Sequence, residues 1–178
     1  MLFKEIKGGS LTSPKGFMAG SVSSGLRDEP SPDLTILSGS EKTISSGVFT
    51  KNQIVAPPVI LSQRHLSLDS PIAIVVNSVI ANAVVGVQGM EDAEKMASMT
   101  AEHLGISKSQ VLVCSTGVIG VPLPMDLISK GIEAIELKEK GHEFARAILT
   151  TDTRTKEFAI SVDISGSEII ISGTAKGS

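Results

Sequence analysis

VLVCSTGVIGVPLPMD, residues 111–126, changes character twice along its length. It begins as VLVCS, an apolar run of strand length. It then passes through Thr116 and Gly117 into VPLP, whose prolines restrain the chain, and Pro124 stands where a helix opens. A strand that feeds a glycine turn and then a helix points to a mixed fold in which sheets carry helices. The turn has a second reading. The end of such a strand exposes backbone N–H groups, and Gly117 has no Cβ to keep a ligand away. Thr116 adds a hydroxyl donor, so the turn is a candidate cradle for an oxyanion. A plain strand-to-helix turn explains the same residues.

Downstream, Met125, Ile128, Ile132 and Ile135 recur at helical spacing and predict a helix after Pro124. EFARAIL (143–149) predicts a shorter one that ends in TTDT. In the tail, Phe158, Ile160, Val162 and Ile164 alternate with Ala159, Ser161 and Asp163. SGS then turns the chain and EIIIS returns, which predicts a hairpin with the final GTAKGS outside it.

Upstream, IAIVVN (72–77) reads as a strand covered on both faces. Ala93, Met96, Ala97, Thr100 and Leu104 predict a helix closed by Gly105, with the methionines as core packing. LTILSG (34–39) and SGVFTKNQIVAPPVILS (46–62) have strand-like composition, the second bent at Pro57 and Pro58. GGS, SPKG and DEPSPD punctuate the first third into short strands and loops. The expectation is an α/β chain of α+β type, layered sheets flanked by helices, in a single domain over residues 1–178.

Composition excludes several classes of function. The 178 residues carry a formal net charge of -3, 3% aromatics and neither Trp nor Tyr, so no basic stripe or stacking platform for nucleic acid is expected. The apolar runs are far short of the ~20 residues that span a bilayer, so no membrane partner is expected. MLFKEIKGGS lacks the apolar run of a secretory signal, and the lone cysteine, Cys114, has no internal disulfide partner; a cytoplasmic setting is expected.

Recognised catalytic motifs are missing. His65, His103 and His142 lie in separate segments without zinc-site spacing, so no metal is expected. Cys114, at the end of an apolar strand, reads as a small buried hydrophobe rather than a nucleophile. No G-x-S-x-G elbow or phosphate-binding G-x-x-x-x-G-K-[ST] loop occurs.

TSPKGF (12–17), SGVFTKNQIVAPPV (46–59), VLVCSTGVIGVPLPMD, AILTTDTRTKE (147–157) and GTAKGS (173–178) together resemble the ornithine acetyltransferase family, the bifunctional glutamate N-acetyltransferases of arginine biosynthesis. The resemblance implies a self-cleaving, N-terminal-nucleophile-like architecture completed by a second chain. In that family a precursor cuts itself before a threonine, which becomes the N-terminal nucleophile of the β chain. The present residues resemble the α chain, in a heterotetramer of two α and two β chains. The nucleophile would therefore lie outside this sequence and would use its own α-amino group as base. By the same resemblance, Thr116 and Gly117 form the oxyanion hole, and Thr150 and Lys176 contact the amino-acid substrate, with Thr151 a weaker candidate. The implied reaction moves an acetyl group from N2-acetylornithine to glutamate through an acetyl-threonine intermediate. No resident cofactor is implied, and acetyl-CoA is left open as a further acetyl donor.

One segment departs from the family pattern. Its common form is Asn-Ser-Gly-Asn-Ala-Asn-Ala-Cys-Thr-Gly, whereas residues 77–86 read NSVIANAVVG. Val79 replaces a glycine, so an easy positive φ is not expected there, and two polar groups are lost. The change bears on the substrate range, including whether acetyl-CoA is also used, and it leaves open a non-catalytic amino-acid-binding paralogue. A related self-processing aminopeptidase or amidohydrolase, which shares the architecture and passes the acyl group to water, is a further alternative.

Overall fold

The structure, a computed structural model, describes residues 3–177. In chain order the strands are β1 (Phe3–Glu5), β2 (Met18–Val22), β3 (Leu34–Ser38), β4 (Ala73–Asn77), β5 (Val111–Ser115), β6 (Lys156–Ile164) and β7 (Ser167–Ala175). The helices are α1 (Pro57–Leu68), α2 (Val87–Leu104), α3 (Met125–Ala134) and α4 (Gly141–Ala147), with a 3₁₀ turn at Lys108–Gln110. They build a four-stranded sheet, β2-β3-β4-β5, and a three-stranded sheet, β1-β6-β7. All neighbouring strands are antiparallel except β4 and β5, which run parallel with α2 as their crossover. The fold is a layered mixture of α and β.

The main core lies between the four-stranded sheet and α1, α2 and α3. Leu34, Ile36, Val75, Val111 and Val113 meet Leu61, Met96, Ala97, Ile128 and Ile132, all buried. Each large side chain so removed from water contributes roughly 1.5–3 kcal/mol. Ala19 and Val76, on the opposite face, pack with Phe144 and Ile148 of the α4 region. The expected α2 face of Ala93, Met96, Ala97 and Thr100 is buried, and Gly105 caps the helix at φ 68°.

Three expectations are corrected. Residues 46–62 do not form a bent strand: Pro57 and Pro58 occupy the first positions of α1, where a missing N–H leaves no intrahelical bond unmade. This helix closes the outer edge of β5. Ser62 Oγ accepts from the Val113 amide at 2.9 Å and donates to its carbonyl at 2.8 Å, while His65 Nδ1 donates to Val111 O at 2.7 Å. Cys114 is exposed rather than buried, because it lies on the outer strand, away from the core side held by Val111 and Val113.

The third correction concerns the tail. The hairpin forms, with a two-residue Ser165–Gly166 turn in which both φ angles are positive, as right-twisted strands require. GTA at 173–175 is part of β7, so pairing runs from Ile164↔Ser167 to Lys156↔Ala175. The strongly apolar face is largely open, with Phe158, Ile164, Ile169 and Ile171 exposed, whereas small Ala159 on the other face is buried. A Cβ added at Gly9 would lie 2.5 Å from the Ala159 Cβ, which shows how closely the N-terminal loop covers that side.

Candidate functional site

The parallel pair fixes where a site forms. Because β4 and β5 point the same way, the loops leaving their carboxyl ends meet, which is where open α/β sheets take ligands. Here the loops continue the ladder beyond the strands: the Thr116 amide donates to Asn77 O at 3.1 Å, the Val118 amide to Val79 O at 2.7 Å and the Gly120 amide to Ala83 O at 2.8 Å. The Thr116 amide is thus occupied. The donors without an internal partner among the described residues are the Gly117 amide and the Thr116 hydroxyl, a narrower set than the amides of both residues.

Only glycine is tolerated at 117. Its φ is 135°, and a Cβ there would lie 2.0 Å from Val79 O. Val79 itself has φ 79°, contrary to the expectation that a β-branched residue would refuse a positive value. The loop holds it there through the Val118 bond and through the Asn77 side-chain amide, which donates to Ile80 O at 2.8 Å.

A second wall is the 24–29 loop. Buried Asp33 organises it by accepting from the Ser24 amide and hydroxyl, both at 2.7 Å, and from the Leu26 and Arg27 amides at 3.0 and 3.2 Å. Arg27 then reaches across, donating to Ser78 Oγ at 2.9 Å and to the carbonyl of Leu149. One guanidinium therefore ties together the three loops that border the site.

The third wall joins the loop before β6 to the segment after β7. Asp152, 3% exposed, accepts from Lys156 Nζ at 2.5 Å, from the Gly177 amide at 2.9 Å and from the Thr150 amide at 3.5 Å. Lys176 Nζ stands 4.0 Å from the same carboxylate. The Lys156 hydrogen bond, supported by those backbone amides, holds the Asp152 carboxyl down at about 2.

Between the walls lies a cleft of about 740 Å³ lined by Thr116, Gly117, Thr150, Thr151, Lys176, Val79 and residues 26–29. The structure brings together Thr116, Gly117, Thr150 and Lys176, the four residues singled out in the sequence. Their lining is amphoteric, with cationic Arg27 and Lys176 and the exposed carboxylates of Asp28 and Glu29. Arg27, Asp28, Glu29 and Asp152 were not anticipated. The one sequence signal for the 26–29 wall is the turn-rich SSGLRDEPSPD, whose shape depends on Asp33 at its far end.

The other nucleophile and ligand candidates lie elsewhere. Burial of its surroundings pushes the Cys114 thiol up, against nucleophilic use. His65 and His103 engage the carbonyls of Val111 and Ile135, and His142 lies between Glu157 and Gly8 O. Among the described residues no helix is long and apolar enough to cross a membrane.

Comparison with known proteins follows the same lines. Residues 18–178 match the family described as ArgJ. The arginine biosynthesis bifunctional proteins ArgJ of Dehalococcoides mccartyi and Caldanaerobacter subterraneus are 47% and 45% identical to it over 95% and 98% of this chain. The chain spans only 42% and 44% of those relatives' lengths. Among solved structures, the ArgJ protein of Bacillus halodurans superposes with a TM-score of 0.95 at 36% identity, covering 99% of this chain and 94% of that one. The ornithine acetyltransferase of Mycobacterium tuberculosis, crystallised with ornithine, gives 0.93 at 32% identity, covering 99% and 96%.

Proposed function

Because this chain belongs to the ArgJ family, we propose that it is the α portion of an acyltransferase that moves an acetyl group from N2-acetylornithine to glutamate. A threonine at the start of a companion β chain would attack the acetyl carbonyl, its own amine taking the proton. The Thr116 hydroxyl and Gly117 amide would hold the tetrahedral oxyanion. Ornithine would leave, and glutamate would take the acetyl group from the acyl-threonine through the same intermediate geometry. Lys176 would pair with the substrate carboxylate and Thr150 would hydrogen-bond to the amino acid.

One observation carries this reading. Residues from separate stretches, Thr116–Gly117, Thr150 and Lys176, line one cleft at the carboxyl ends of the parallel strands. No cysteine, serine or histidine occurs among the described residues that line that cleft, and the nucleophile would come from another polypeptide. The lengths agree: this chain covers under half of the curated relatives but nearly all of the two crystallised chains, which supports a product divided into parts. The open apolar face of β6 and β7 supports a companion polypeptide as well. We extend the proposal to acetyl-CoA as a second donor, in keeping with the word bifunctional in the relatives' names.

The test uses the full-length gene product. Thr116→Ala should slow precursor cleavage, followed by intact mass, and lower kcat by about 10²–10³, the usual effect of losing an oxyanion donor. Initial rates against both substrates should give the parallel lines of a ping-pong mechanism. Unchanged processing and turnover in the variant would defeat the assignment. Acetate release that ignores glutamate would identify a hydrolase, and a protein that stays uncleaved and inactive would favour an amino-acid-binding role.

A further inference from the structure

The cluster around Asp152 has a geometry that the acyl-transfer steps do not require. A carboxylate this buried is destabilising unless its oxygens are occupied, and these are occupied from two directions. The Thr150 amide and Lys156 come from the loop entering β6, and the Gly177 amide comes from the segment leaving β7. The β6–β7 ladder ends at Lys156↔Ala175. Beyond it, the contacts of Asp152 tie Lys176 and Gly177 to the 150–152 loop.

The two lysines also divide their work. Lys156 at 2.5 Å neutralises the carboxylate, whereas Lys176 at 4.0 Å is attracted to it but is too distant for a hydrogen bond. With 26% of its side chain exposed and a place in the cleft lining, Lys176 has no hydrogen-bond partner among the described residues, which leaves its three N–H donors for a ligand.

We propose that Asp152 is a positioning residue: it clasps the 176–177 segment onto the 150–152 loop and thereby holds the Lys176 ammonium at the cleft for the substrate carboxylate. This rests on the reading of Lys176 given under Proposed function. The rival is that Asp152 serves only as the ion-pair partner of Lys156, four residues on.

The experiment uses the full-length product and the KM for N2-acetylornithine. Asp152→Asn should raise KM about tenfold with kcat changed less than about threefold, and Lys176→Ala should raise KM at least as much. The double variant should be no worse than Lys176→Ala alone, because the carboxylate acts through that lysine. Additive effects would overturn the proposal. So would a Lys156→Met variant that reproduces the Asp152→Asn effect, since KM in Lys156→Met should stay within about twofold of the unaltered protein. A readout independent of catalysis is amide hydrogen exchange at Gly177, which should quicken at least about tenfold in Asp152→Ala; unchanged exchange would also overturn the clasp. An unaltered protein without acetyl transfer would defeat the function instead, and the exchange measurement would still decide the clasp.

Discussion

Val79, like Val84, holds a positive φ, here 79°, that β-branched side chains rarely adopt. Relief of left-handed strain outweighs the added freedom of an unfolded glycine, so Val79→Gly should stabilise the protein by about 1 kcal/mol. A shifted urea midpoint at constant m measures this, and a lower midpoint would show that packing of the valine dominates. Gly117→Ala should do the reverse. Its Cβ would fall 2.0 Å from Val79 O, so the turn must open, with a loss of about 3 kcal/mol or more and failed processing. Asp152 makes a prediction about acid. Its pKa is lowered from 3.8 to about 2, so its contribution to stability is complete above pH 4 and vanishes as pH falls toward 2. Asp152→Asn should therefore flatten the acid limb of the stability curve in that window, read by thermal melts at stepped pH.

Among elements, sequence pattern made β3, β4 and β5 legible as short apolar runs and α2, α3 and α4 legible as helices that bury one face. It failed for α1, where Val59 and Ile60 resemble a strand and prolines were read as breaking structure rather than starting it. For the hairpin it identified both strands but placed the end of the second too early, before residues 173–175. Alternation identifies two faces, but which face is covered depends on the distant loop around Gly9 that packs on Ala159. The site was legible only in part: residue chemistry left Thr116–Gly117 indistinguishable from an ordinary turn, and the family resemblance singled it out. Arg27 and Asp28 were hidden because the loop that presents them is shaped by Asp33, a contact that no local pattern encodes. Between elements, His142 ties α4 to β6 through Glu157 and to the N-terminal loop through Gly8 O. The Glu157 hydrogen bond raises its pKa above 6.5, so this tie is complete below pH 6.5 and is lost as pH rises through the raised value. His142→Ala should remove that part of the pH dependence of stability, a small effect at a site half open to water, measured by melts between pH 5 and 8.

At the scale of the whole molecule, the two sheets are covered unequally. The four-stranded sheet has helices on both sides, whereas the three-stranded sheet leaves Phe158 and Ile171 about half exposed, at 52% and 53%. If a companion polypeptide covers this face, Ile171→Glu should change the melting of these residues alone by less than about 0.5 kcal/mol while abolishing co-purification with the remainder of the product. Retained co-purification would place the contact elsewhere. The register of the outer sheet has a consequence for synthesis. Among the described residues β1 pairs only with β6, Phe3 opposite Val162, so this strand must wait for one made far later in the chain. At about 5–20 residues per second, the ribosome leaves β1 unpaired for on the order of ten to thirty seconds. During that interval the nascent β1 segment has no sheet to join, and it is there that a chaperone has most to protect.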